Sequence, residues 1–440
     1  MIASCAARAL RPTTLERMSL VLAASGARMN KSLVCAILAV FGSRAALAAP
    51  QLAVTPPTSN AADQAEAVNG SNAFAVDLYA QLRTQPGNLF LSPESISTAF
   101  GMAYAGANGQ TATEMRRVFH FMLPPDRLHP AMGALLAEMN AQHTDYELRV
   151  ADALWAQQDA SFLPDYLKLV QTDYGAGFRP VDFKTSPDAV RATINQWIAD
   201  QTNDKIQNLL GPGSVSAATR LVLTNAIYFK GTWLDEFNPT YTEAEDFHLT
   251  AKQSVKTQMM NRNGGYSYYD GGSFQELELP YKGGLSMVVF LPKEIGGLPA
   301  LEKSFTAENA STWIKKLAPV EKVILTLPRF TMTQQFELSG TLAKMGMPQA
   351  FSATADFSGM TGKPDFAITA AIHKAYIEVN EQGTEAAAAT AIIMVTTAMQ
   401  RPEVEPPPIV FNADHPFLFL IRDTGSGAIL FLGRVTDPTK

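Results

Sequence analysis

Cysteine is almost absent from this chain: Cys5 and Cys35 are the two present, and both fall within the first 48 positions. No disulfide framework or thiolate metal site can be built on them, so a large core must supply stability. Long apolar runs are missing too, since a membrane-spanning helix needs about 20 apolar residues and no stretch reaches that. Charged residues make up 17% of the chain and lean acidic, with a formal net charge of −6. That balance argues against a nucleic-acid or polyanion partner. The six histidines are scattered without metal-ligand spacing. There is no Gly-x-Ser-x-Gly elbow, His-Glu-x-x-His motif or phosphate-binding glycine loop. No cofactor, no metal and no catalytic constellation is expected.

What is present suits a soluble globular protein: 440 residues, 47% of them apolar. The N-terminus reads as targeting sequence. Met29-Asn30-Lys31 is a basic start, Leu33 to Phe41 an apolar core, and Ala46-Leu47-Ala48 the small residues a signal peptidase accepts. Residues 1–48 are therefore expected to be a signal peptide behind an N-terminal extension, with Met1 or Met29 as the start. Removal near Ala48 would leave 29 basic and 40 acidic residues, a net charge of −11, in a secreted or periplasmic protein.

Prolines 50, 56 and 57 mark a flexible lead-in over residues 49–67. Ser71-Asn72 then cap a helix carrying Phe74, Leu78 and Leu82. Residues 88–93 read as a short buried strand, and Ser95 opens an apolar helix ending at Gly106. Helical patterns recur over about 111–119, 127–140, 164–173, 187–201 and 334–346. Leu221 to Phe229 is nearly continuous apolar sequence, as in a strand covered on both faces. Further strands are expected at 255–260, 266–269, 275–279, 285–291, 322–328, 373–379, 416–421 and 428–433. Helices dominate the first half and strands the second, without βαβ alternation, which implies an α+β fold in one domain over 68–440. Asp423-Thr-Gly-Ser426 resembles an aspartic-protease motif but has no partner carboxylate motif, and it lies between two apolar runs as a hairpin turn would.

Residues 381–411 fit no ordinary element. Glu381-Gln-Gly-Thr-Glu385 leads into Ala-Ala-Ala-Ala-Thr390, Ala-Ile-Ile-Met-Val-Thr-Thr-Ala-Met399 and a proline-rich exit. An exposed, uncharged apolar segment with β-branched residues is an aggregation hazard unless a function requires it. Read with period two, Thr384, Ala386, Ala388, Thr390, Ile392 and Met394 share one face of a strand, rising from small to large. Glu385, Ala387, Ala389, Ala391, Ile393 and Val395 form the other. The segment is a loop able to become a strand inside an existing sheet.

Residues 381–390 resemble the hinge of inhibitory serpins, and Phe411 to Leu420 their C-terminal signature. Asn225-Ala-Ile-Tyr-Phe-Lys-Gly-Thr-Trp233 is similar to the third strand of their main sheet, and Asn88 to Ser95 to the strand and helix at their shutter. The likeness covers about residue 68 to 440 and identifies an inhibitory, exported, bacterial-like member. It implies about nine helices around three sheets, with an exposed reactive loop over about 381–410. It also implies suicide-substrate inhibition: a serine protease cleaves the loop, is held as an acyl-enzyme, and is trapped when the loop inserts as a strand. A cysteine protease is the second partner class, and a monomer is expected.

By the family's spacing the scissile bond is Thr397–Ala398, suited to elastase-like or subtilisin-like targets; Phe411 falls later than usual, leaving Met399–Gln400 and Arg401–Pro402 as other registers. The resemblance assigns Glu381, Gly383, Thr384, Glu385, Ala386, Ala387, Ala388, Ala389 and Thr390 to the hinge. Ser92, Ser95, Asn225 and His373 match the shutter; Trp233 and an Arg329–Glu381 ion pair match the breach, where the loop enters. Before cleavage Thr384 is expected outside the sheet. The alternatives are a non-inhibitory serpin acting as carrier, storage protein or chaperone, whose hinge would hold bulky, charged or proline residues, and an unrelated exported hydrolase, for which no nucleophile constellation exists.

Overall fold

The computed structural model describes residues 59–175, 177–384 and 407–440. Helix α1 (Ala61–Leu82) leads to β1 (Leu89–Leu91), α2 (Pro93–Tyr104), α3 (Gly109–Val118) and α4 (Pro125–Met139). Strand β2 (Tyr146–Gln157), α5 (Pro164–Tyr174), β3 (Phe178–Val181), α6 (Pro187–Gln201) and β4 (Leu221–Thr232) follow. Next come β5 (Glu243–Thr250), β6 (Gln253–Asp270), β7 (Phe274–Pro280), β8 (Leu285–Pro292), α7 (Leu298–Ser304) and α8 (Ala307–Ile314). The chain continues through β9 (Ala318–Pro328), β10 (Phe330–Glu337), α9 (Ser339–Met345), α10 (Ser358–Thr361) and β11 (Ala370–Asn380). It ends in β12 (Gly383–Thr384), β13 (Ile409–Asn412), β14 (Phe417–Asp423) and β15 (Ile429–Val435). Proline opens α2, α4, α5 and α6, where its missing N–H costs nothing and its fixed φ suits the first turn.

Two sheets are formed among the described residues. One runs β1-β15-β14-β8-β7-β6-β9-β13, with β5 beside β6; the other runs β10-β11-β12-β4-β2-β3. The expected three sheets become two because β6 is 18 residues long and continues through Gly264-Gly265, where its register with β9 shifts. One strand thereby joins two groups that would otherwise be separate. Ten α-helices lie among the described residues, against about nine expected. Strand β4 at the centre of the smaller sheet is buried on both faces, whereas β10 at its edge alternates buried and exposed residues. Helix α2 packs on β2 and β4 from one side, and α6 covers β2 from the other through Ile194 and Ile198, with Trp155, Val222 and Ala226.

Three boundaries are corrected. The lead-in expected over 49–67 is already helical from Ala61, because Asn60 caps α1 by accepting from the Asp63 backbone at 2.8 Å. Asp63 is in turn gripped by Arg127 of α4. The domain therefore begins before residue 68. The helix expected over 334–346 is half strand: Phe330, Met332 and Phe336 are buried at even spacing in β10, and helix starts only at Ser339. Strand β2 had no counterpart in the sequence reading, although it lies beside β4 along its whole length. Its alanines 151, 153 and 156 carry little strand propensity.

Candidate functional site

The sheet's centre is a polar cluster in an apolar setting. His373 on β11 lies opposite Asn225 on β4, which lies opposite Asp152 on β2. The N-terminus of α2 closes the cluster from the core side with Ser92 and Ser95; all five residues are buried. The Ser92 backbone N–H donates to His373 Nε2 at 3.2 Å, so the proton sits on Nδ1, which donates to Asn225 Oδ1. Asn225 Nδ2 donates to Asp152 Oδ1 and approaches Ser95 Oγ; the Ser95 hydroxyl donates to the same carboxylate oxygen at 3.1 Å. Burial lowers His373 to about 3. With both ring nitrogens already used, a second proton would face an N–H. Burial also raises Asp152 well above the usual carboxylate range, against the bonds from Ser95 and Asn225 and with a push from Glu94. Strands β11, β4 and β2 are thus laced together by buried side-chain hydrogen bonds.

At the top of the sheet the chain turns back at Glu381-Gln382, so that β12 pairs with β11 on one side and β4 on the other. Gly383 and Thr384 are inserted between these strands. The expectation that Thr384 lies outside the sheet is corrected: it is fully buried, and its hydroxyl shares a 2.7 Å hydrogen bond with Tyr281. A small side chain with a satisfied hydroxyl is at no disadvantage there. Gly383 has φ +150°, and a Cβ on it would lie 2.0 Å from the Gly231 carbonyl, so only glycine permits this approach.

The turn is anchored on all sides. Arg329, between β9 and β10, donates through Nε to Glu381 Oε1 at 2.7 Å, and the Thr242 hydroxyl donates to the same oxygen. Burial pushes the Glu381 carboxyl up, but the Arg329 and Thr242 bonds outweigh it and hold the group below its ordinary value. The Trp233 backbone N–H donates to the Gln382 carbonyl at 2.9 Å, and its indole N–H to the Asn380 carbonyl at 3.0 Å. The Trp233 ring stacks on Tyr281 with centroids 4.2 Å apart.

Below β12, strands β11 and β4 pair directly in parallel from Ala370↔Val222 to Tyr376↔Tyr228. His373 and Asn225 are 148 residues apart in sequence. The two residues flanking Thr384, Val379 and Gly231, have the same separation. The inserted strand therefore leaves the register of its neighbours unchanged.

Sequence reasoning missed Asp152, Tyr281 and Thr242. Asp152 had a usable signal, an acid inside the apolar run Val150 to Ala156. Tyr281 and Thr242 had none, since their roles come from tertiary placement. Glu385, Ala386, Ala387, Ala388, Ala389, Thr390 and the Thr397–Ala398 bond lie outside the described residues, as does the targeting segment 1–48. Asp423-Thr-Gly-Ser426 forms the turn joining β14 to β15, with Asp423 Oδ1 accepting from the Gly425 N–H at 2.7 Å.

The smaller sheet thus has six strands, with a two-residue strand wedged between its central pair above a buried polar cluster. The serpin (serine protease inhibitor) family profile matches residues 69–438. Human leukocyte elastase inhibitor is 42% identical over 377 residues, covering 83% of this chain and 97% of its own length. An uncharacterized serpin-like protein of Thermococcus kodakarensis is 40% identical over 373 residues, covering 84% of this chain and 85% of its own. Among solved structures, uncleaved ovalbumin superposes with a TM-score of 0.76 at 31% identity, covering 84% of this chain and all of the ovalbumin chain. The chain belongs to the serpin family and is a protease inhibitor by family, not an enzyme with turnover.

Proposed function

We propose that this serpin is a suicide-substrate inhibitor of elastase-like or subtilisin-like serine proteases. The observation that carries the reading is β12, a hinge already threaded between β11 and β4 without disturbing their register. Extending that register would bring Ala386 opposite Ile377 and Phe229, Ala388 opposite Ala375 and Ile227, and Thr390 opposite His373 and Asn225. Two of these pairs, Ala375 with Ile227 and His373 with Asn225, already face each other, and β11 residues 373, 375, 377 and 379 are buried. The side chains that would follow them inward are the small ones of the alanine run.

In this reading the protease's serine attacks the Thr397 carbonyl and expels the amine of Ala398, leaving Thr397 esterified to the enzyme. The freed hinge then zips downward before water can cleave the ester. The name of the human relative, leukocyte elastase inhibitor, supports an elastase-like target, as does the small residue before the cut. A cysteine protease could be trapped as the corresponding thioester. The inhibitor acts as a monomer. Residues 29–48 support export after cleavage near Ala48, and with it the exported, bacterial-like reading.

Incubation with a broad serine-protease panel, followed by a boiled denaturing gel, tests the proposal. An elastase-like or subtilisin-like protease should give a stable higher-mass complex and release a peptide beginning at Ala398. A peptide starting elsewhere would move the bond. Cleavage without trapping by every protease would favour the carrier or storage alternative.

A further inference from the structure

Away from the hinge, α1, α2 and the connection between α3 and α4 enclose a small cavity of about 10 Å³, room for one water-sized occupant. Three of its lining side chains carry buried polar atoms, Ser71 Oγ, Glu94 Oε2 and Ser97 Oγ, which have no hydrogen-bond partner beyond the contact of the Ser71 hydroxyl with the Glu94 carboxyl. The residues are 4%, 2% and 1% exposed. Phe121, Leu128 and Met132 supply an apolar wall. All three polar atoms are oxygens able to accept, and one belongs to a carboxylate.

We propose that Ser71, Glu94 and Ser97 form a binding site for a small monovalent cation held through oxygen ligands. A buried carboxylate without a counter-ion is costly, and one carboxylate balances one positive charge. No group of three His, Cys, Asp or Glu side chains able to hold a metal occurs among the described residues, which disfavours a divalent ion. The hydroxyls and carboxylate also match the three donors of an ammonium head group.

The titratable groups around the cavity leave the charge uncompensated. Glu66 and Asp152 are acidic, and His120 is held by Asp77 at 2.8 Å. Burial raises Glu94 to about 7, with the Ser71 hydroxyl acting the other way. The cation should therefore be taken up on the alkaline side of neutrality and released as Glu94 is protonated.

Thermal unfolding at constant ionic strength tests this, with sodium, potassium or ammonium chloride against N-methyl-D-glucamine chloride, whose cation is too large to enter. A site with a dissociation constant of about 15 mM would shift the folded-to-unfolded ratio roughly elevenfold at about 150 mM cation. At pH 8 a small cation should raise Tm over the glucamine salt, and the three salts identify the one that fits. The difference should vanish at pH 5 and in Glu94→Gln. Ser97→Ala, which removes one ligand without touching the carboxylate, should weaken it. Equal Tm values in all salts at pH 8 would mean that the cavity holds water alone and would overturn the proposal. A cation effect that survives unchanged in both variants would overturn it equally, by placing the ion elsewhere.

Discussion

Replacing Thr384 by Arg separates strand insertion from every other property of this serpin. Thr384 is fully buried between β11 and β4, so an Arg there would be an unpaired charge costing several kcal/mol, on the order of 3–5. What holds β12 in place is weaker. The Tyr281 hydrogen bond contributes about 1 kcal/mol, and the backbone bonds of a two-residue strand about as much each. The Arg side chain will therefore expel β12 into solvent instead of being buried, leaving β11 and β4 paired below it. Folding and cleavage of the loop should survive, but the first step of insertion must force the guanidinium between the strands. A barrier raised by about 3 kcal/mol slows that step roughly 160-fold. Deacylation then wins, and the inhibitor becomes a substrate. The assay is the ratio of cleaved serpin to trapped complex, with the rise in melting temperature that follows cleavage. Thr384→Val keeps the size and removes only the hydroxyl, so it should trap nearly as well as the parent. Efficient trapping by Thr384→Arg would refute the insertion mechanism at its entry point.

Five further outcomes are expected. Glu381→Lys sets two cations together at the breach and should produce polymers on mild heating. Because the Glu381 carboxyl is held below its ordinary value, the parent should keep this lock above the usual Glu range, near pH 4.3, and lose it as pH falls through the lowered value; polymerisation rates against pH report this. Gly383→Ala puts a Cβ into the Gly231 carbonyl and should detach β12, read as raised proteolysis or amide exchange at residues 381–384. Asp152→Asn keeps the bonds accepted from Ser95 and Asn225 but cannot ionise, so it should be more stable than the parent at pH 8 and equal to it near pH 3.5 in denaturant melts. Sulfated polysaccharides should not accelerate inhibition, because the one basic residue in 125–142, Arg127, is engaged by Asp63; a large, salt-sensitive heparin effect would contradict this.

The hinge composition violates the rules for loops, helices and strands at once, which marked Thr384 as able to join a sheet but did not show that it is already in one; the alanines after it lie outside the described residues. The Arg329–Glu381 pair was legible through the resemblance alone. Asp152 was passed over, although it interrupts an apolar run, because the alanines of β2 favour helix and hid the strand that carries it. Tyr281 and Thr242 reach Thr384 and Glu381 across 103 and 139 residues of sequence, and no local pattern encodes such a meeting. The early start of α1 was misread because prolines 56 and 57 dominate the window, while the actual cap, Asn60, needs Asp63 and the distant Arg127 to be recognised.

The polar lock ties the closed sheet together, and the proposed insertion must break it. His373, lowered to about 3, contributes stability that is complete above its unfolded value near 6.5 and is lost as pH falls toward 3. Asp152 has the opposite sign: its raised value favours the native state in acid, and the advantage declines as pH rises above about 4 toward the folded value. The two slopes oppose each other between them, which flattens the response of the closed sheet across mildly acidic pH. Parting β11 from β4 must break the His373–Asn225 bond and leave a buried N–H and a buried carbonyl oxygen without partners, at about 1–3 kcal/mol each. In the register set by β12, the residue that would arrive between them is Thr390, the one hydroxyl after Thr384 in the alanine run. A hydroxyl can accept from His373 Nδ1 and donate to Asn225 Oδ1 together, which alanine cannot. In the proposed inserted strand, the threonine that interrupts the alanines would close the lock again.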